Sequence, residues 1–177
     1  MSYEEDIKHR VRTTELRPDF ESPEFLGALD DLAEESLAKT TIEGALASVL
    51  IYHQLCEEML RLLLQCAQFF IQLAIFPAEL IFPERKRQMF GQLAEELRGT
   101  MSFLHKGEIL ELAASLNTSR TDFVHKLASR QTLDDVVSQA TEVKHNYDQL
   151  FLKFEDARDE FRVAFKDFRK DVFIDYP

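Results

Sequence analysis

The sequence predicts an all-α fold: a single-domain helical bundle of five to seven helices, with long central and C-terminal helices. Three observations carry that reading. Five glycines and five prolines are spread through 177 residues, at places where helices begin or end. Between them apolar residues recur in steps of three and four, the period of one helix face. Runs of alternating β-branched residues, which would mark strands, are absent from the sequence. At 45% hydrophobic content the chain has the size and composition to bury one sizeable core.

The N-terminal stretch "MSYEEDIKHRVRTTELRPDF" is charged throughout and holds no apolar h-region, so it is not read as a secretory signal. A reducing, cytoplasmic compartment is the expectation that follows. Residues 1–39 read as an N-terminal helical extension of a bundle domain over 40–177. Pro18 and Pro23 bracket a turn, and "SPEFLGALDDLAEESLAK" follows as a helix with Ser22 as N-cap and Pro23 at the first helical position. The next helix opens with Thr40 and Glu43 in capping-box spacing and runs towards Pro77. The stretch "LLLQCAQFFIQLAIFPAELIF", Leu62 to Phe82, has no charge until Glu79, and its length approaches the roughly 20 residues that span a membrane. Gln65, Gln68 and Gln72, however, form a polar stripe at helical spacing, which predicts a buried central helix and no membrane partner. Cys56 and Cys66 on that helix lie roughly 15 Å apart, too far for a disulfide.

Pro83 reads as the start of a helix that Gly99 ends, and "GEILELAASLN" as a shorter one after Gly107. Ser119 with Asp122, and Thr132 with Asp135, repeat the cap spacing before two further helices. No glycine or proline occurs from Glu108 to Tyr176, so the last helix is predicted to run about 40 residues, close to 60 Å. Val136, Ala140, Val143, Tyr147, Leu150, Phe154, Ala157, Phe161, Ala164 and Phe168 form its heptad seam, and Phe151 and Phe165 widen it into a bundle face.

Reactive groups are few. The chain has no Gly-rich phosphate loop, nucleophile elbow, paired-cysteine signature or HExxH. His9, His53, His105 and His145 read as surface or packing histidines. His53 lies one turn from Glu57 and Glu58, a spacing found in carboxylate-bridged metal bundles, but the second Glu-x-x-His that such a site requires is missing. No metal and no cofactor are implied.

The stretch "SLNTSRTDFVHKL" stands out. Arg120 and His125 are five residues apart, about 140 degrees around a helix after one full turn, so they do not share a face. At a two-fold interface they could converge with their symmetry mates. A histidine that exchanges protons near neutral pH and a guanidinium fork for phosphate would together suit metal-independent RNA cleavage by the 2′-hydroxyl. Charge points the same way. The net charge of -11 opposes polyanion binding over most of the surface. From Pro83 to Arg130, however, eight positive residues face six acids, against thirteen and twenty-six elsewhere. Arg85, Lys86, Arg87, Lys126 and Arg130 are therefore candidate phosphate contacts, with Thr121 and Asp122 as supporting residues. The competing reading is a non-catalytic interaction or nucleotide-binding module that regulates a partner protein, in which Arg120 pairs with Asp122 or Glu111 and His125 caps or packs its helix.

"LNTSRTDFVHKL" resembles the R-x-x-x-x-H element of the HEPN superfamily, the small all-α domains of toxin ribonucleases, abortive-infection proteins and partners of minimal nucleotidyltransferases. "ALASVLIYHQLCEEMLRLLL" is similar to the long second helix of those domains, and Leu116 and Asn117 fit the approach to the motif. The resemblance implies Arg120 and His125 as a catalytic pair, an obligate homodimer, RNA as substrate, and a cognate antitoxin or nucleotidyltransferase as partner. Thr121 stands where active members carry Asn, Asp or His. Leu127 stands where members modified by a nucleotidyltransferase carry tyrosine, so regulation of that kind is not expected at this motif.

Overall fold

A computed structural model describes residues 2–83, 88–129 and 132–168. Six α-helices make up the described chain: α1 (Tyr3–Arg12), α2 (Pro23–Ala38), α3 (Ile42–Ile75), α4 (Phe90–Arg98), α5 (Lys106–Lys126) and α6 (Leu133–Asp167). Short 3-10 turns follow α1 and α5. The all-α bundle expected from the sequence is what the chain forms.

α3 is the axis of the bundle, with α2, α4, α5 and α6 packed around it. By length and composition α3 is apolar enough to cross a membrane, and half of its most apolar window is buried inside the bundle. Its glutamines are partnered: Gln68 Nε2 donates to Glu96 at 3.3 Å and Gln72 Nε2 to the Leu80 carbonyl at 2.9 Å. Cys56 and Cys66 are free thiols, both buried. Burial pushes the Cys66 thiol up to about 12, so neither the geometry nor the ionisation favours reactivity there.

Several helix limits differ from the sequence reading for local reasons. α1 has its own capping box, in which the Glu5 N–H donates to Ser2 Oγ and the Ser2 N–H to Glu5 Oε2. Ile7 and Val11, one turn apart in this charged segment, are inserted into the common core. Pro23 does open α2, although the Ser22 side chain makes no capping bond. The cap of α3 is Thr41, whose Oγ1 accepts from the Gly44 N–H at 3.1 Å; Thr40 sits in the left-handed region at φ 50 and turns the chain. α4 begins at Phe90; of the helix expected from Pro83, residues 84–87 lie outside the described residues, and Pro83, Gln88 and Met89 are not helical. α5 runs unbroken through Ser119, because the hydroxyls of Thr118 and Thr121 bond carbonyls one turn back and the helix needs no new start.

Thr132 caps α6 as expected, accepting from the Asp135 N–H at 3.2 Å. The seam of α6 is buried from Val136 to Phe161 and then passes to Phe165, leaving Ala164 and Phe168 half-buried and Phe151 exposed. Aromatic rings lock it: Phe165 lies edge-on to Phe69 at 5.1 Å, and Phe161 packs against Phe103 at 5.3 Å. Residues from both sides of the expected boundary at 39 and 40 belong to one core cluster.

Candidate functional site

α5 presents its apolar stripe, Ile109, Ala113, Leu116 and Phe123, to the core. Arg120 follows Leu116 by four residues and precedes Phe123 by three, so helix geometry puts it on that same stripe. The guanidinium is half-buried, and its Nε is fully buried without a hydrogen-bond partner. His125 points elsewhere: it lies in the last turn of α5 and is exposed. The two motif residues do not meet within one chain.

Arg120 instead faces His53 of α3, whose ionisation its charge influences. The His53 ring is buried and lies against Phe90, the first residue of α4, with ring centroids 4.7 Å apart. His53 Nε2 and Asn117 Oδ1 are 3.1 Å apart; since Oδ1 can only accept, the imidazole donates through Nε2. Burial, with the Arg120 charge adding to it, holds His53 below the ordinary histidine value despite the Asn117 bond and the nearby Glu57. The ring is therefore neutral at pH 7.

Of the acids on the flanking helices, those nearest in sequence to Arg120 and His53 are engaged elsewhere. Asp122 accepts from Lys126 at 3.0 Å, and Glu57 accepts from Arg61 at 2.9 Å. Among the described residues no carboxylate forms an ion pair with Arg120, Glu111 included. Thr121 donates its hydroxyl hydrogen to the Asn117 carbonyl at 2.8 Å. Lys126 is exposed but already paired. Arg85, Lys86, Arg87 and Arg130 lie outside the described residues.

The site is thus a seam between α3, α4 and α5, built by His53, Phe90, Asn117 and Arg120 and flanked by exposed Leu50 and Val124 one turn along each long helix. Its working groups are a half-buried cation, an amide and a neutral imidazole, a set suited to holding an oxyanion. Three surface cavities lie away from this seam. Clefts of about 510 and 270 Å³ flank α2, and one of about 570 Å³ lies beside Lys106. None of these is lined by Arg120 or His53. Among the described residues, no group of three or more His, Cys, Asp or Glu is placed to hold a metal ion.

His53 and Asn117 were not singled out as site residues from the sequence, although one signal was available: an arginine at a position that the apolar period of α5 assigns to the core. Compared with known proteins, the chain matches no family model, no curated protein and no solved structure. The likeness to HEPN domains therefore rests on the residues quoted for it.

Proposed function

We propose that this protein is an RNA-directed module of the HEPN type, in which Arg120 holds a backbone phosphate. The observation that carries the proposal is the half-buried Arg120 guanidinium without an anionic partner among the described residues. Desolvating part of a cation without a counter-charge is unfavourable, and a phosphate oxygen on the guanidinium fork would offset that cost. Cleavage needs a second chain, because His125 and Arg120 leave α5 on different sides. In the homodimer, His125 of one copy approaches the phosphate held by the other. One neutral imidazole takes the proton of the 2′-hydroxyl, the 2′-oxygen attacks phosphorus to close the cyclic phosphate, and the 5′-oxygen leaves with a proton from the second histidine, which is protonated beforehand. Exposed Leu50 and Val124 beside the site give the second copy an apolar surface to cover.

Incubation of the purified protein with structured RNA, with and without chelator, tests this. The expected result is cleavage that survives chelator and is lost in both Arg120→Ala and His125→Ala. Unchanged cleavage in both variants would assign the activity to a contaminant and overturn the proposal, and a stable monomer by light scattering at micromolar concentration would remove the composite site. A second reading, RNA or nucleotide binding without cleavage in the service of a partner protein, is favoured by Thr121, whose hydroxyl is committed to the backbone. Retention of RNA by the wild type, weakened in Arg120→Ala and accompanied by no cleavage, would select it.

A further inference from the structure

We propose that Asn117 is a second anion donor beside Arg120, and that His53 is the positioning residue that orients it. The inference rests on the reading of Arg120 as a phosphate holder and adds two residues that the motif does not contain. Asn117 and Arg120 are three residues apart on α5 and share a face. The amide of Asn117 has one acceptor and one amino group. Its Oδ1 is taken by His53 Nε2 at 3.1 Å. No described residue accepts from its Nδ2, so two N–H donors remain available next to the guanidinium.

The orientation of that amide is held from below. His53 is 6% exposed, its ring rests on Phe90, and in the tautomer that fits Asn117 Oδ1 its Nε2–H donates, so a reversed amide would also require the ring proton to move to Nδ1. Turning the amide over would set its amino group against that N–H, donor to donor. A neutral histidine also adds no positive charge to compete for the anion. The face that results offers N–H groups from Asn117 and Arg120, while the sole side-chain acceptor of the pair is already occupied. The flanking carboxylates, Glu57 and Asp122, are bonded to Arg61 and Lys126. Such a face selects an oxyanion with two or more free oxygens, either a backbone phosphodiester or free phosphate, and rejects amines and metal ions.

Two probes distinguish the ligand sources: inorganic phosphate, read as a rise in Tm, and a short single-stranded RNA, read by fluorescence anisotropy at fixed salt. Asn117→Asp keeps the acceptor for His53 but places a carboxylate beside Arg120. It is expected to weaken binding of both probes by about tenfold or more. Arg120→Met is expected to abolish binding. Should Asn117→Asp fail to fold, Asn117→Ser removes the amide without adding charge and reads the same comparison. His53→Leu is expected to weaken binding severalfold, and His53→Gln, whose amide can donate to Asn117, to restore it in part; a role in folding alone would not give that rescue. Wild-type affinity in both Asn117 variants, with loss in Arg120→Met, would overturn this inference and leave the Arg120 reading standing. No response of the wild type to either probe would overturn both. Binding of phosphate but not RNA, lost in the same variants, would support the donor pair and overturn the RNA assignment.

Discussion

Gly44→Ala is expected to destabilise the protein, although the same change in most helices stabilises it. Gly44 lies in the first turn of α3, directly against the last turns of α2. A Cβ built there would stand 2.1 Å from the Ser36 carbonyl oxygen and 3.1 Å from its carbon. Ordinary contact starts at 3.4 Å, so the two backbones would have to separate by about 1.3 Å. The connection between α2 and α3 gives little slack: it is residues 39–41, with Thr40 in the left-handed region and Thr41 bonded to the Gly44 N–H. Overpacking of this kind costs about 1–3 kcal/mol, against about 1 kcal/mol gained from the better helix former. The net expectation is a loss of up to about 2 kcal/mol, or a fall in Tm of up to roughly 4–8 °C. Gly27→Ala in α2 and Gly91→Ala in α4 are the controls, since a Cβ at either meets nothing within 4 Å. Each is expected to gain about 0.4–1 kcal/mol. Urea denaturation of the three variants measures this. A midpoint for Gly44→Ala at or above the wild type would refute the close crossing of α2 and α3.

Phe161→Ala removes a 3% exposed ring that packs on Phe70, Phe103 and Phe165, and is expected to cost about 3–5 kcal/mol by thermal unfolding; a neutral result would mean the α6 seam is exposed. Lys106→Met strands the carbonyls of Arg98, Thr100 and Met101, all of which accept from Lys106 Nζ within 3.1 Å, and is expected to cost about 1–2 kcal/mol and to speed amide exchange between α4 and α5. Arg120→Met should leave stability unchanged or raise it by about 0.5–1 kcal/mol while removing anion binding, the pattern of a charge retained for function; a loss beyond about 2 kcal/mol would mark Arg120 as structural instead. Burial raises the Asp19 carboxyl, but the Phe20 N–H, Arg158 and Arg162 outweigh it and leave it below the ordinary value of 3.8. Its contribution is then present above that value and lost as pH falls through the lower folded one, so the stability gap between wild type and Asp19→Asn should narrow on acidification; a constant gap in urea titrations from about pH 6 to about pH 3 would contradict this.

Long apolar periods carried the fold. The α6 seam could be read from Val136 to Phe161 because a step of three or four, repeated seven times, leaves no other face for burial. Short elements were harder. α1 buries only Ile7 and Val11, and two apolar residues among acids and bases do not make a period. Cap signals misled where their residue types serve another purpose. Ser119 and Asp122 have the spacing of a helix start, yet they lie inside α5, where the hydroxyls on either side, of Thr118 and Thr121, bond carbonyls one turn back. The sequence reading put the cap of α3 at Thr40, and the backbone moves it to Thr41: with φ at 50, Thr40 cannot be the extended residue that a cap must be.

The site was half legible for a geometric reason. Spacing along one helix reports which residues share a face, and it separated Arg120 from His125. Only in the unbroken α5 does the same spacing place Arg120 among Leu116 and Phe123, where a charge calls for a partner. What spacing does not report is which residue of a neighbouring helix stands opposite. His53 is 64 positions from Asn117, and their contact depends on the register of α3 against α5. That register is set by large apolar residues that have no part in the chemistry, among them Leu60, Leu63, Ile109 and Leu116. A search for polar neighbours along the chain therefore pairs Arg120 with Asp122, two residues away. Packing instead turns Asp122 outward to Lys126 and turns Arg120 inward to the imidazole. In a bundle of this kind, the more informative signal is a lone polar residue on an apolar stripe, because its partner must lie across the helix interface.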